Sequence, residues 1–474
     1  MHLLLAVPDG VGVRNFVLGR FLHELAASEH ATILHGIPDA LLDGYRTQAE
    51  RRPGAVTWRP LLPYREALMT FGLRYALSYA HTYWADTYAM RRIRDEPLRG
   101  SWRTRAIHRA SRTLGWVAGS SRGVQTLRRS YETVAERQPE VASYERLLRD
   151  LAPSVVFCSN QRAGAILPLV IAGRRLGIPT VSFVFSWDNL TSKGRVAAPF
   201  DYYVVWSRHM QQELLTYYED VTADRVRIVG TPQFDPYADQ TLLWSRTECF
   251  RRLNADPGRP LLCYSGGDRG TTPEDPAHVR ILLELIRSGA IRDNPQVVLR
   301  PAPPDDGARY DPVRRDHPEL IWSPPAWFHA DPGSWLASLP LAEDVQLLAN
   351  LTHHADLNVN MASTMTLDFA LHDKPVVNVA FDVASPPVLG TPVWELYYRY
   401  EHYRPVVELG AARFARSPQE LAAHVNAYLE NPALDRDGRR RLTELQIGRP
   451  LGQSARHTLD ALRAIAREHH AATA

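Results

Sequence analysis

The sequence predicts an α/β protein of two successive domains, each a parallel sheet covered by helices. Three observations predict it. Short apolar runs of strand length alternate with stretches whose apolar residues recur at helical spacing. The alternation occurs in two series, one from residue 3 to about 230 and one from 260 onward. A helix between consecutive strands brings the chain back in the same direction, which makes a parallel sheet. The 474 residues also suffice for two domains with full-sized cores.

In the first series Leu3 to Val7 reads as a strand, Pro8-Asp9-Gly10-Val11-Gly12 as a turn, and Asn15 to Ala27 as a helix. Ala31 to His35 and Ala55 to Arg59 follow as strands. Residues 64–150 carry no strand signal, are rich in Arg, Ala, Leu and Tyr, and read as a helical insertion. The alternation resumes with a strand at 154–158, a helix from Ala163 to Leu176, strands at 180–185 and 201–206, a helix to Tyr218 and a short strand at 225–229. The boundary is expected near 235–258, a hinge candidate, giving domains 1–240 and 241–474.

The second series begins at 260–264. A helix at 277–288, a strand at 296–300, an irregular Pro- and Trp-rich stretch at 301–340, and a helix at 342–351 follow. Next come a strand at 355–360, a helix at 364–371, a strand at 375–381, a last strand at Tyr403 to Glu408, and helices near 418–430, 436–446 and 453–470. In such sheets ligands bind beyond the carboxyl ends of the strands, at the switch point, so a ligand cleft between the domains is expected.

Hydrophobic residues make up 45% and charged residues 23%, which excludes collagen-like, coiled-coil and wholly disordered classes. No apolar run approaches the roughly 18 residues that span a bilayer, and Met1 to Val7 lacks the basic leader of a signal peptide. Cys158, Cys249 and Cys263 are odd in number and scattered, which fits buried thiols in a reducing compartment. A cytoplasmic location is expected. All but two of the 55 basic residues are arginine. The exceptions, Lys193 and Lys374, both lie in motif-like segments. From Arg91 to Arg129 eleven arginines face only Asp95 and Glu96, with Trp102, Leu114 and Trp116 interleaved. Such a stretch is either a solvated helical face or the contact for an anionic partner: anionic lipid at the inner face of the membrane, a phosphorylated acceptor, or nucleic acid.

Four segments can carry chemistry. In Asp356-Leu-Asn-Val-Asn-Met-Ala-Ser-Thr-Met-Thr-Leu-Asp-Phe-Ala-Leu-His-Asp-Lys-Pro-Val-Val, a strand runs into Ser363-Thr364 and a helix. Ser363 suits the N-cap, and a helix start suits a diphosphate. Asp368, one turn on from Thr364 and about 6 Å further along, suits a ribose diol. In Ser182-Phe-Val-Phe-Ser-Trp-Asp-Asn-Leu-Thr-Ser-Lys-Gly-Arg195 a strand ends in a polar loop. Its Asp188 can orient or deprotonate a hydroxyl, and Asn189, Lys193 and Arg195 can bind substrate or phosphate. In the first loop, Asp9 is either a turn-capping residue or a base. Ser265-Gly266-Gly267 and Arg300 end the first two strands of the second series, where small residues admit a phosphate to backbone N–H groups and an arginine can clamp it. There is no P-loop, no zinc-spaced Cys/His set and no Gly-x-Ser-x-Gly elbow.

The pattern of strand, Ser363-Thr364, an acid four residues on and Lys374-Pro375-Val376 resembles the donor-nucleotide site of GT-B glycosyltransferases and their relatives, the teichoic-acid-type glycerophosphotransferases and the non-hydrolysing UDP-GlcNAc 2-epimerases. Trp187-Asp-Asn-Leu-Thr-Ser-Lys-Gly194 is similar to a signature of bacterial surface-carbohydrate biosynthesis proteins in that superfamily, and Gly230-Thr-Pro-Gln-Phe-Asp235 resembles its exit from the first domain. The resemblance implies a GT-B-like fold of two Rossmann-like domains. It implies transfer of a sugar from a nucleotide-sugar donor to a hydroxyl acceptor, without metal or cofactor. The diphosphate would sit on Ser363, Thr364 and the Ser265-Gly266-Gly267 loop near Arg300, with the ribose on Asp368, and Asp9 or Asp188 would be the base. Here the ribose acid is Asp where the superfamily usually has Glu. The alternatives are epimerisation or glycerophosphate transfer on the same fold, or a non-catalytic polyanion- or membrane-binding protein. Nucleic acid is not an expected partner.

Overall fold

The computed structural model describes residues 1–49, 55–96, 98, 100–196, 198–329, 338–448 and 450–473. Arg99 of the basic stretch and residues 330–337 of the Pro- and Trp-rich segment lie outside them. The chain divides into two compact units. One holds Met1–Asp235, Tyr400–His402 and Gln446–Ala474; the other holds Pro236–Arg399 and Tyr403–Leu445.

The first unit is built on seven parallel strands: β1 His2–Val7, β2 His30–His35, β3 Ala55–Pro60, β4 Val155–Cys158, β5 Thr180–Phe183, β6 Tyr202–Val205 and β7 Val226–Ile228. They lie in the order β3-β2-β1-β4-β5-β6-β7. The inner strands β1, β4 and β5 are apolar along nearly their whole length because both faces are covered. The order reverses between β1 and β4, whose register pairs Leu3 with Val155 and Ala6 with Cys158. Between β3 and β4 stand the helices Leu68–Ala85, Tyr88–Asp95, Trp102–Val117, Ser121–Ala135 and Pro139–Leu151. Thr87, Ser101 and Ser120 cap three of them by accepting from the amides of Met90, Thr104 and Gly123.

Two features depart from the sequence-based expectation. Asn15 to Ala27 is not one helix. A single α-turn at Gly10–Gly12 runs into a π-type turn at Val13–Val17, closed by Leu18 N–H to Val13 O at 2.9 Å, and a 3₁₀ turn follows at Phe21–Glu24. Gly10, Gly12 and Gly19 weaken helix propagation there. The last helix, Ser454–Thr473, belongs to the first unit, although the 241–474 division had grouped it with the second. Asp235 fixes it: Oδ1 accepts from Gly452 and Ser454 amides at 3.1 Å and Oδ2 from Ala455 at 2.9 Å.

The second unit has six parallel strands: β8 Leu261–Ser265, β9 Gln296–Arg300, β10 Ile321–Trp322, β13 Leu357–Asn360, β14 Val376–Val379 and β15 Arg413–Ala415; β11 Trp327–His329 and β12 Ser338–Pro340 form a separate antiparallel pair. The order is β10-β9-β8-β13-β14-β15, so the switch lies between β8 and β13. The segment 301–340 therefore contributes an edge strand and a helix, Asp311–Asp316, where irregular chain was expected. Tyr403–Glu408 is no strand: Arg404–Glu408 is a helical turn with Pro405 in its first turn, a position that needs no N–H, and the true last strand is Arg413–Ala415.

Candidate functional site

In the first unit the loops after β1 and β4 meet at the switch point. Asp9 accepts from the Gly12 amide at 3.0 Å and from the Asn160 side chain, and is 3% exposed. Burial pushes its pKa up against the pull of those bonds. Asp9 thus braces two loops, which is the turn-capping one of its two readings. Gln161 of the β4 loop donates to Asn189 Oδ1 at 2.7 Å, and Asn189 donates to Asp188 Oδ1 at 3.0 Å. Asn189 is buried and holds Asp188 in place.

Asp188 remains accessible, with 21% of its side chain exposed. The Ser186 hydroxyl donates to Oδ1 at 2.6 Å and the Lys193 ammonium lies 3.4 Å from Oδ2. Burial opposes ionisation, but Lys193, the facing His402 and the Ser186 hydroxyl outweigh it and hold the carboxyl well below the usual range. His402, packed edge-on to Trp187 at 5.3 Å, is lowered to about 4 by burial and stays neutral near pH 7. Glu213, on the helix Arg208–Tyr217 after β6, feels the charge of Asp188. Burial, with the like charges of Glu401 and Asp188, raises its pKa to about 8, and His209 stands 3.5 Å away. Glu401 itself accepts from the Tyr88 amide at 2.6 Å. The arrangement pairs a fixed anion with a carboxyl that titrates near neutrality, the usual division of labour in acid–base sites.

Arg195 takes no part in that loop. Its guanidinium pairs with Asp220, its side chain is 5% exposed, and it lies 4.9 Å from the Tyr218 ring centre. It lines a cavity of about 300 Å³ with Arg128, Arg174, Asp201 and Asp220, at the amino ends of β6 and β7. The expected phosphate role fails because the charge is already neutralised at the far end of the sheet.

In the second unit a buried, uncharged network fills the carboxyl ends of β8, β13 and β14. Asn358 Nδ2 donates to Ser265 Oγ at 2.7 Å, and Asn360 Nδ2 donates to Asn358 Oδ1 at 2.6 Å and to Thr366 Oγ1 at 3.1 Å. The Tyr403 hydroxyl joins Thr366 at 2.8 Å and donates to Asn378 Oδ1 at 2.7 Å. The network grips the loop after β13: Ala362 N–H donates to Asn378 Oδ1 at 3.2 Å and Ser363 N–H to Asn360 Oδ1 at 2.9 Å. Ala362 stands in the left-handed region at φ 48°, a strained turn of the kind that collects at binding loops. Ser363 and Thr364 are half-buried. Ser363 Oγ accepts from Met365 N–H at 3.3 Å, while Thr364 holds the N-cap position without a side-chain cap bond.

Two expected donor contacts are corrected, the Ser265-Gly266-Gly267 loop and Asp368. The Ser265-Gly266-Gly267 loop offers no amide cradle, since Gly266 N–H donates to Arg300 O at 2.9 Å and Gly267 N–H to the buried Asp275 at 2.8 Å. A β-carbon at Gly266 would collide with the Tyr310 hydroxyl, so internal packing explains the glycine. Ser265 is buried and serves the network. Asp368 is 2% exposed and accepts from the Tyr237 hydroxyl, so no face is left open to a ribose. Arg300 is paired through Nη2 with Asp344 at 2.9 Å, both buried, and Trp327 Nε1 also donates to Asp344 at 2.7 Å. Burial disfavours the Asp344 anion, but Arg300 more than offsets it and the pKa falls. Among the described residues, two donors at these strand ends, Arg300 Nη1 and Asn378 Nδ2, have no acceptor. Lys374 is half-buried and its pKa is lowered by burial.

The residues missed from the sequence are Glu213, His402, Asn358, Asn360 and Asn378. The asparagines had a visible signal, polar residues inside otherwise apolar strands; Glu213 and His402, distant in sequence from Asp188, had none.

Among the described residues no His/Cys/Asp/Glu group could hold a metal ion, no helix is long and apolar enough to cross a membrane, and all three cysteines are buried and free. No protein-family model matches the sequence, and no curated protein matches it. Solved structures match in fold. The UDP-GlcNAc 2-epimerase of Neisseria meningitidis bound to UDP-GlcNAc aligns with a TM-score of 0.53 at 9% identity, covering 98% of this chain and 100% of that one. A putative UDP-N-acetylglucosamine 2-epimerase from Listeria monocytogenes aligns with a TM-score of 0.54 at 9% identity, over 98% and 97% of the two chains. S. aureus MnaA in complex with UDP gives 0.53 at 9% identity over the same shares. With its two parallel, Rossmann-like sheets, the chain has the GT-B-type fold of these proteins.

Proposed function

We propose that the chain is an enzyme that binds a nucleotide-sugar on its second unit and transfers the sugar to a hydroxyl acceptor. The observation that carries this reading is the pair of orphaned donors, Arg300 Nη1 and Asn378 Nδ2, at the carboxyl ends of β9 and β14, on either side of the β8/β13 switch. A buried donor without an acceptor costs about 1–3 kcal/mol, and an acceptor-rich ligand such as a nucleoside diphosphate relieves it. Ser363 and Thr364, on the strained loop between them, add hydroxyls. In the first unit Asp188 is a fixed anion that orients the acceptor hydroxyl and Lys193 a cation for phosphate, while Glu213 has the pKa of a group that can give or take a proton near pH 7. Solved proteins of like fold bind UDP or UDP-GlcNAc, which supports a UDP-sugar as the first ligand to try.

Epimerisation is the second reading. One observation favours it: the first unit holds an ionised carboxyl, Asp188, and a protonated one, Glu213, that feel each other's charge, as removal and return of a sugar proton would require.

The test is thermal unfolding with UDP and a panel of nucleotide-sugars, followed by turnover. A ligand at a hundredfold excess over its Kd stabilises by about 2.7 kcal/mol. That shift is expected in wild type and in Asp188→Asn alike, with turnover in Asp188→Asn down about a thousandfold. No shift with any nucleotide would remove the reading. Solvent deuterium entering the sugar without release of UDP would convert it to epimerisation.

A further inference from the structure

Nine large apolar side chains are exposed among the described residues, and six of them stand on two helices of the insertion: Leu68, Met69, Trp102, Leu114, Trp116 and Val117. Trp102 is 68% and Trp116 66% exposed. The helices Leu68–Ala85 and Trp102–Val117 run side by side in the same direction. Ser111 Oγ donates to Gly72 O at 3.0 Å, Gly115 lies against Tyr79, and Gly119 lies against Tyr83. That register sets Leu68 and Met69 beside the first turns of the second helix, so its amino end carries Trp102, Leu68 and Met69 and its carboxyl end Leu114, Trp116 and Val117.

The charge on the same helix is one-sided. Arg105, Arg109 and Arg112 recur at i, i+4 and i+7, one stripe of the helix. Trp102, Ala106, Thr113 and Val117, at i, i+4, i+11 and i+15, form the neighbouring stripe, and all four are partly or fully exposed. Arg103, Arg105 and Arg109 are exposed. From residue 97 to 131 there are eight arginines and no Asp or Glu. Water is a poor partner for so much apolar surface, and a polar protein partner would leave the aliphatic groups unsatisfied.

We propose that this face docks peripherally on an anionic lipid bilayer, the two tryptophans and their aliphatic neighbours lying in the headgroup–acyl boundary and the arginines on lipid phosphates. The chemistry selects this occupant. Nucleic acid would reward the arginines and tryptophans but gain nothing from Leu68, Met69, Leu114 and Val117. A second copy would set one acid-free arginine face against another. The inference does not depend on the enzyme reading.

The test is flotation of the full chain with vesicles of phosphatidylcholine alone and of phosphatidylcholine mixed with phosphatidylglycerol, at low and high salt. Binding is expected only with the anionic vesicles and is expected to weaken in high salt. Arg105→Gln with Arg109→Gln should bind roughly thirtyfold more weakly at low salt, at about fivefold per charge. Trp102→Ser with Trp116→Ser should bind more weakly at both salts. Unchanged melting temperatures in both variants establish that folding is intact. No flotation at low salt, or wild-type binding by both double variants, would overturn the proposal. So would a dimer that Trp116→Ser converts to monomer, or tighter binding to RNA than to vesicles that survives the tryptophan changes.

Discussion

The two sheets reverse strand order at equivalent places, yet the chemistry at the two reversals is opposite. From the loop after β1 to the helix after β6 the first unit gathers ionisable groups, and the pKa values of Asp9, Asp188, Glu213 and His402 are driven apart. Around β8, β13 and β14 the second unit gathers neutral ones, Ser265, Asn358, Asn360, Thr366, Asn378 and Tyr403, all buried. Groups that move protons must be tunable, and burial beside selected charges tunes them. A frame that holds a loop for an anion gains from donors that do not titrate, because its geometry then survives a change of pH.

The sharpest way to break the comparison is to remove one amide from the neutral frame. Asn360→Leu keeps the branching at Cγ but strips the acceptor from Ser363 N–H and the donor from Asn358 Oδ1 and Thr366 Oγ1. Several buried groups lose partners at once, so a loss of about 3–5 kcal/mol is expected in urea unfolding, with little dependence on pH. A loss below about 1 kcal/mol would mean that the network follows the loop and does not hold it.

The first unit should behave in the opposite way, with an effect set by pH. Glu213 has an ordinary pKa of 4.5 unfolded and about 8 folded. Below pH 4.5 it is protonated in both states and costs nothing. As pH rises through that window the unfolded chain releases the proton first, so stability falls, and above about 8 the full cost of a buried anion is present. Glu213→Gln removes the titration. The variant should match wild type below about pH 4 and exceed it by up to about 4–5 kcal/mol near pH 9. An equal difference at both pH values would show that Glu213 is not held protonated.

The same contrast explains what was legible in the sequence. Alternating apolar runs gave nearly all the buried strands, because a strand covered on both faces has to be apolar. The edge strand Arg413–Ala415 has one fully buried residue of three and left no such trace, while Val406-Val407 looked like a strand until Pro405 began a helical turn. The loops at the carboxyl ends of the strands were found, since they follow strands. Which of their groups are free was hidden: the partners of Arg300, Asp368 and Arg195 are Asp344, Tyr237 and Asp220. Asp220 lies 25 residues from Arg195, Asp344 lies 44 from Arg300 and Tyr237 lies 131 from Asp368. Spacing cannot announce a pairing that only the fold makes.

The smallest effect tests whether the loop after β13 stores strain for a ligand. Ala362 sits at φ 48° without being glycine, and an L-residue there pays roughly 1–2 kcal/mol. Two amides in succession, Ala362 and Ser363, are held by Asn378 and Asn360, which is what can keep the residue in that region. Ala362→Gly relieves the strain but gives the unfolded chain about 0.4–1 kcal/mol of extra entropy. The net expectation is a gain in stability of about 0.5–1 kcal/mol. Ala362→Val, β-branched in the left-handed region, should instead lose stability and weaken nucleotide binding together. If Gly destabilises and Val is tolerated, the turn is not strained, and the second unit's loop is held by its asparagines alone.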